Sequence, residues 1–308
     1  MTCRFAFLFR FAGILLTMIA LSGCQIVRLQ QQSTKRKLSR HGIQSYQLNK
    51  DGFNIHFWKG GNGPVVLLLH GFGGDAATTW KEEMLALSKQ FTVIAPDLLW
   101  FGKSSFSGEA SLNSQTRAIE LLLNEFQTEK VTMIGQSYGG FIALDFCVKF
   151  PELIQEVIFA NCPGHTFDYS ELEKVSSQFG VQNIDELFVF DQPNQLQRLY
   201  DLAAFRSIKV PKALLNQSFE LYFKDFPAQK RALLTTLQAE KNRFGNNPIK
   251  SIPAHVVWGE YDELFSVTSG KRFADSIEGK WHILKDCGHA PQLDNRKAFT
   301  KLICELAY

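Results

Sequence analysis

VTMIGQSYGGFIALDF, residues 131–146, runs from a mostly apolar stretch straight into a serine, and from there into a second, helical-looking apolar stretch. Ser137 is flanked by Gly135, Gly139 and Gly140. A serine on a tight turn between a strand and a helix is forced into an unusual backbone conformation. Side chains two residues to either side would collide there, so glycine is required at both places. The turn also pushes the hydroxyl out above the strand end, at the positive end of the helix that follows. Gly135-Gln136-Ser137-Tyr138-Gly139 therefore reads as an exposed nucleophile on a strand–turn–helix unit. Small-residue clusters also serve plain turns, so the weight rests on what surrounds the pentapeptide.

Short apolar runs stand at 65–69, 91–95, 131–134, 157–160, 254–258 and 281–284. Several are apolar throughout, as parallel strands buried on both faces are. Helical patterns lie between them. RAIELLLNEF (117–126) puts Ala118, Leu121, Leu122 and Phe126 on one side, and KAFTKLICELA (297–307) does so with Phe299, Leu302, Ile303 and Leu306. Upstream, SYQLN (45–49) and FNIHFW (53–58) flank Lys50-Asp51-Gly52, a hairpin signal. The alternation predicts a doubly wound α/β fold with an eight-stranded, mostly parallel sheet flanked by helices.

One connection breaks the rhythm. From about His165 to Lys250 no comparable strand-like run occurs, while NQLQRLYDLAAF (194–205) and PAQKRALLTTLQAEK (227–241) look helical. An insertion this long inside a compact domain is a subdomain or serves function. Residues 164–251 are expected to form a helical cap after the sixth strand, with the core made by 45–163 and 252–308. Phe167, Phe179, Phe188, Phe190, Phe205, Phe219, Phe223 and Phe226 fall in the insertion. Most are expected to fill its own core, and some to face a pocket.

The amino-terminal stretch MTCRFAFLFRFAGILLTMIALSGC (1–24) has Arg4 and Arg10, no acid, an apolar run from Phe11 to Leu21, and small residues before Cys24. That is the layout of a secretory signal, and it falls short of the ~20 apolar residues a spanning helix needs. Leu21-Ser22-Gly23-Cys24 also resembles the lipobox of bacterial lipoproteins. The resemblance implies a signal peptide at 1–23, a lipid on Cys24 and a place in the bacterial cell envelope; a secreted or signal-anchored form is the alternative. QQQSTKRKLSRHG (30–42) is polar and basic, so residues 24–44 read as a tether. Lys35, Arg36, Lys37 and Arg40 would meet solvent or anionic head groups.

Composition excludes several classes. Of 308 residues 45% are apolar and 20% charged, and the net charge of +3 is too small and too evenly spread for nucleic-acid binding. Cys147, Cys162, Cys287 and Cys304 lack close spacing and are expected as mostly buried thiols. No metal-ligand spacing stands out, and HGFGG (70–74) lacks the G-x-G-x-x-G of a dinucleotide loop, so no cofactor or metal is expected.

From about Ser45 onward the chain resembles the α/β-hydrolase family. HGFGG is similar to that family's His-Gly oxyanion loop, and PDLLWFGKS (96–104) to its Asp-x-x-Gly-x-Gly-x-Ser segment. WGEYDELF (258–265) places Asp262 where the family keeps its acid, and DCGHAPQLD (286–294) matches Gly-His-x-Pro at His289. The order Ser137, Asp262, His289 is the one this fold uses. The resemblance implies Ser137 as nucleophile, His289 as its base and Asp262 as the orienting acid. It further implies an oxyanion hole from the backbone N–H groups of Phe72 and Tyr138, with His70 and Gly71 supporting that loop. His165 and His282 are rivals for the histidine, and Glu260, Glu263 and Asp286 for the acid. Asn161 cannot be the alternative acid that some members carry after the sixth strand. Trp100 stands where the family has glycine, which implies a changed loop path and a changed pocket wall.

The expected function is hydrolysis of carboxylic esters, apolar or lipid-like, as in the family's capped lipases and esterases. Rivals are a carbon–carbon bond hydrolase or acyl transferase on the same fold, and a ligand-binding homologue that does not turn over. Dehalogenase and epoxide-hydrolase chemistry is disfavoured, because those relatives use aspartate where Ser137 stands.

Overall fold

The computed structural model describes residues 25–240, 244 and 249–307, so the expected signal peptide and Cys24 lie outside the described residues. The chain enters the fold as a helix, α1 (Ile26–Arg40), where residues 24–44 read as a polar tether. Val27, Gln31, Thr34 and Leu38 recur at helical spacing and turn inward; the last is fully buried. Lys37 pairs with Glu82 at 3.3 Å, and the Val27 amide donates to Gln217 Oε1 at 3.0 Å. Half of that inward stripe is polar, which is why apolar periodicity does not announce the helix. Lys37 and Arg40 in its last turn suit the negative end of the helix dipole. Among the described residues no helix is long and apolar enough to cross a membrane.

Asp51 and Gly52 take positive φ (51° and 79°) and turn β1 (Gln44–Lys50) back on β2 (Phe53–Gly60). The alternating unit then begins with β3 (Val65–Leu69), α2 (Ala76–Leu87), β4 (Thr92–Pro96), the two-residue β5 (Ser105–Phe106) and α3 (Leu112–Glu125). It continues through β6 (Val131–Gln136), α4 (Tyr138–Lys149) and β7 (Ile154–Ala160). After the insertion come β8 (Ala254–Gly259), α9 (Val267–Ser276), β9 (Lys280–Leu284), the short α10 (Pro291–Asp294) and α11 (Arg296–Leu306). Eight strands run in the order β1-β2-β4-β3-β6-β7-β8-β9, with β5 added on β2, so the sixth expected strand is β7. β2 pairs antiparallel with its neighbours, and every pair from β4–β3 to β8–β9 is parallel. This is the α/β-hydrolase fold.

Successive strand residues serve opposite faces. Leu67, Ile94, Met133, Val157 and Val256 pack beneath α3, α4 and α9, while Val66, Val93, Ile134, Ile158 and Val257 pack with Trp80, Met84, Phe299 and Ile303 of α2 and α11. Each such side chain contributes roughly 1.5–3 kcal/mol relative to exposure. Both faces are covered, so these strands show no polar alternation.

The insertion carries α5 (Tyr169–Gln178), α6 (Gln197–Ala203), α7 (Lys212–Ser218) and α8 (Pro227–Glu240). Phe190, Phe219 and Phe223 form its own small core with Leu196 and Leu215, whereas Phe167 and Phe188 join the main core. The loop accommodates the bulky Trp100. This residue takes a left-handed φ of 67°, and its indole is buried against Phe106 at 6.4 Å. The left-handed conformation survives because core packing offsets a cost of roughly 1–2 kcal/mol. Cys147, Cys162 and Cys287 are buried free thiols, and Cys304 is a half-buried one.

Candidate active site

The site begins where β6 stops. Ser137 takes φ 49° and ψ −117°, outside any helical or extended region, and α4 starts at the next residue. Close approach of backbone explains the glycines. A Cβ on Gly135 would stand 2.5 Å from the Gly139 carbonyl oxygen, and one on Gly139 would stand 2.3 Å from that of Leu69. Omitting the second side chain lets the end of β3, and the loop leaving it, lie against the serine. A Cβ on Gly71 would be 3.3 Å from that of Ser137.

Two loops beyond β8 and β9 supply the remaining groups. His289 Nε2 lies 2.9 Å from Ser137 Oγ, and His289 Nδ1 lies 2.9 Å from Asp262 Oδ2. Asp262 and His289 are buried and Ser137 is half-buried. Asp262 Oδ1 accepts from the backbone amides of Leu264 (2.9 Å) and Phe265 (3.0 Å). Its Oδ2 also accepts from Asn161 Nδ2 at 2.8 Å. A carboxylate facing the imidazole fixes the proton on Nδ1 and leaves Nε2 as the acceptor of the serine hydroxyl proton. The Phe265 ring stands 5.5 Å from the imidazole, edge to face.

The loop that leaves β3 is braced from behind. His70 is fully buried, and its Nε2 accepts from the Leu98 amide at 3.0 Å. That forces the proton onto Nδ1, which donates to the Gly71 carbonyl at 2.8 Å. Burial lowers the pKa of His70, with Asp97 and the Gly71 carbonyl opposing, so the ring is held neutral as a strut. The strut sets the path of Gly71 and Phe72. The Phe72 ring lies 4.9 Å from Phe101, 5.6 Å from Tyr138 and 5.9 Å from Phe188 of the insertion. Tyr138 is the first residue of α4, where amide N–H groups have no acceptor within the helix.

The rival groups lie elsewhere. His282 is paired with His255 at 2.9 Å, and His165 sits against Phe273 at 5.7 Å. Glu260, Glu263 and Asp286 are exposed. The sequence reading set Asn161 aside as an acid and missed that it donates to Asp262 from just beyond β7; it also missed the pair Gln136–Gln292 (3.2 and 2.8 Å), which ties β6 to α10. Asn161 has the left-handed φ of 50°, a conformation that Asn tolerates well; a lone Asn after a strand gives no sequence signal. Among the described residues no group of three or more His, Cys, Asp or Glu side chains could hold a metal ion.

Comparison with known proteins agrees with the fold. Residues 64–296 match the family model described as the alpha/beta hydrolase fold. An uncharacterized protein of Mycobacterium tuberculosis is 36% identical over 127 residues; the match spans 41% of this chain and only 37% of that protein's length. The 2-hydroxymuconate semialdehyde hydrolase of a Pseudomonas species is 25% identical over 82% of this chain and 89% of its own. Among solved structures, one described as a membrane phospholipase A superposes with a TM-score of 0.73, covering 96% of each chain at 21% identity, a likeness of fold.

Proposed function

The chain belongs to the alpha/beta hydrolase fold family, and from that premise we propose that it is a serine hydrolase of carboxylic esters with apolar or lipid-like acyl groups. The observation that carries this reading is the line from Ser137 Oγ to His289 Nε2 to Asp262 Oδ2, with 2.9 Å at each step. Ser137 Oγ attacks the ester carbonyl as His289 takes its proton, and the alkoxide of the tetrahedral intermediate points to the amides of Phe72 and Tyr138. Collapse expels the alcohol, which receives the proton from His289 and leaves an acyl-enzyme. Water, deprotonated by the same imidazole, then releases the acid. Loss of one oxyanion donor raises such a barrier by about 2.7–4 kcal/mol. Asp262 holds the ring in the productive tautomer, and four donors converging on its two oxygens fix its own position.

The apolar preference is supported by the aromatic side chains packed beside the site, where Phe72 meets Phe101, Tyr138 and Phe188. Attachment to the bacterial envelope through a lipid on Cys24 belongs to the same proposal. Its support is the order of basic start, apolar run and lipobox in the sequence, together with the character of the helix just beyond Cys24. That helix, α1, has no acidic residue, exposes Arg28, Lys35, Arg36 and Arg40, and rests its first turn on the insertion at Gln217. Such an anchor holds the insertion, rather than the opposite end of the sheet, toward the bilayer. The relative named as a semialdehyde hydrolase favours one second reading, carbon–carbon bond cleavage by the same nucleophile.

A panel of p-nitrophenyl esters of graded chain length tests the proposal. Turnover that peaks at one acyl length and vanishes in Ser137→Ala supports it. Saturable binding without product would favour a receptor, and an unchanged rate in folded Ser137→Ala would remove the nucleophile.

A further inference from the structure

The imidazole of His289 is held by more than its acid. Both backbone amides that flank it are tied to one segment of the insertion. On one side the Gly288 amide donates to Asp294 Oδ2 at 2.8 Å, and the same carboxylate takes the Phe205 amide, 3.0 Å from each oxygen. On the other side the Ala290 amide donates to the Ala203 carbonyl at 2.8 Å. The segment also reaches the acid loop, because the Phe205 ring packs on Tyr261, next to Asp262, at 4.4 Å between centres. Contact is close enough that a Cβ on Gly288 would stand 2.8 Å from the Phe205 nitrogen and 3.0 Å from the Ala203 oxygen. The short helix α10 closes back at its last residue, Asp294, so the carboxylate returns to the loop it left.

We propose that Asp294 is a positioning residue for His289, and that through it residues 203–205 of the insertion set the orientation of the imidazole toward Ser137. The proposal rests on the reading of Ser137, His289 and Asp262 as the reacting groups. Asp294 touches no reacting atom. A carboxylate that accepts from two amides on different chain segments fixes their relative place as no apolar side chain can, and charge-assisted bonds of this kind are about twice as strong as neutral ones. The cap and the catalytic loop then move as one unit, so a change in the cap reaches the proton-transfer geometry without touching it.

The test uses the full chain and its variants Asp294→Ala, Asp294→Asn and Gly288→Ala, titrated with a p-nitrophenyl phosphonate. Ser137 Oγ attacks phosphorus, p-nitrophenolate leaves, and the serine proton passes to His289. The amount released counts competent sites, and the rate of release reports the orientation of the imidazole. Asp294→Ala and Gly288→Ala are expected to release a full equivalent on the order of 10- to 100-fold more slowly, with KM for an ester changed less than about twofold. Asp294→Asn keeps an oxygen between the two amides and is expected to recover most of the rate. A reduced count at an unchanged rate per site would show a role in folding alone and overturn the proposal, as would an Asp294→Ala rate equal to the parent's. Gly288→Ala wedges the same contact with the carboxylate intact, so it decides the matter should Asp294→Ala not fold. Release by Ser137→Ala at the parent's rate would instead sink the nucleophile reading.

Discussion

Removing Asp262 and supplying a carboxylate from position 161 is the sharpest perturbation of the site. Asp262→Ala takes away the acceptor of the His289 Nδ1 proton, leaves the Leu264 and Phe265 amides without their carboxylate and leaves Asn161 Nδ2 only the Gly288 carbonyl at 3.5 Å. Triads stripped of their acid lose about 10⁴-fold in kcat, which is about 5 kcal/mol of barrier. Position 161 offers a replacement. Asn161 Nδ2 lies 2.8 Å from the very oxygen, Asp262 Oδ2, that the imidazole contacts at 2.9 Å. In Asp262→Ala/Asn161→Asp the vacated space lets the new carboxylate close on Nδ1, and aspartate tolerates the φ of 50° as asparagine does. A recovery of about 10- to 100-fold in kcat over Asp262→Ala is expected, roughly 1.4–2.8 kcal/mol. Asn161→Asp alone sets two carboxylates in contact and should lower both stability and rate. The assay is kcat on a short p-nitrophenyl ester at pH 8, with circular dichroism to establish folding. A folded Asp262→Ala that keeps more than a tenth of parental activity, or a double variant no faster than it, would refute the reasoning.

Three further outcomes can be measured. Glu83 is buried, accepts from Thr300 Oγ1 at 2.6 Å, and is pushed by burial from 4.5 up to about 7. A raised folded-state pKa means that this stability is present below the unfolded value and is lost as pH rises through about 7. Glu83→Gln should therefore gain stability at pH 8.5 by up to about 3 kcal/mol and almost none at pH 4, so equal Tm changes at both would contradict it. Gly139→Ala drives a Cβ to 2.3 Å from the Leu69 carbonyl, so the oxyanion loop must shift; about 100-fold in kcat is expected to go, and parental kcat would show that the loop yields freely. Cys24→Ser should move activity from the membrane fraction to the soluble one on cell fractionation, and an unchanged distribution would count against the lipid.

The alternation of apolar runs with helical patterns carried the fold because strands buried on both faces cannot hide in the sequence. The turn at Ser137 was legible for a different reason: Gly135 and Gly139 are imposed by close backbone contacts, with the turn itself and with the end of β3. Support from a distance leaves no such mark. Asn161, Gln292 and Asp294 form hydrogen bonds to segments far along the chain, and nothing local distinguishes them from surface polar residues. α1 reads as a tether because Gln31 and Thr34 share its inward stripe with Val27 and Leu38, so neither the apolar count nor the period stands out. Trp100 shows the converse, a position where the resemblance implies glycine filled by a bulky residue that bears a positive φ at some strain.

The central claim is that the hydroxyl at 137 becomes covalently bonded during turnover because the imidazole at 289 takes its proton. Incubation of the full chain with a fluorophosphonate, followed by digestion and peptide mass analysis, tests it directly. A single adduct on the peptide carrying Ser137, absent from Ser137→Ala and formed at least about a thousandfold more slowly in His289→Ala, is the predicted result. An adduct on any other residue, or equal labelling of Ser137 with and without His289, would contradict the account.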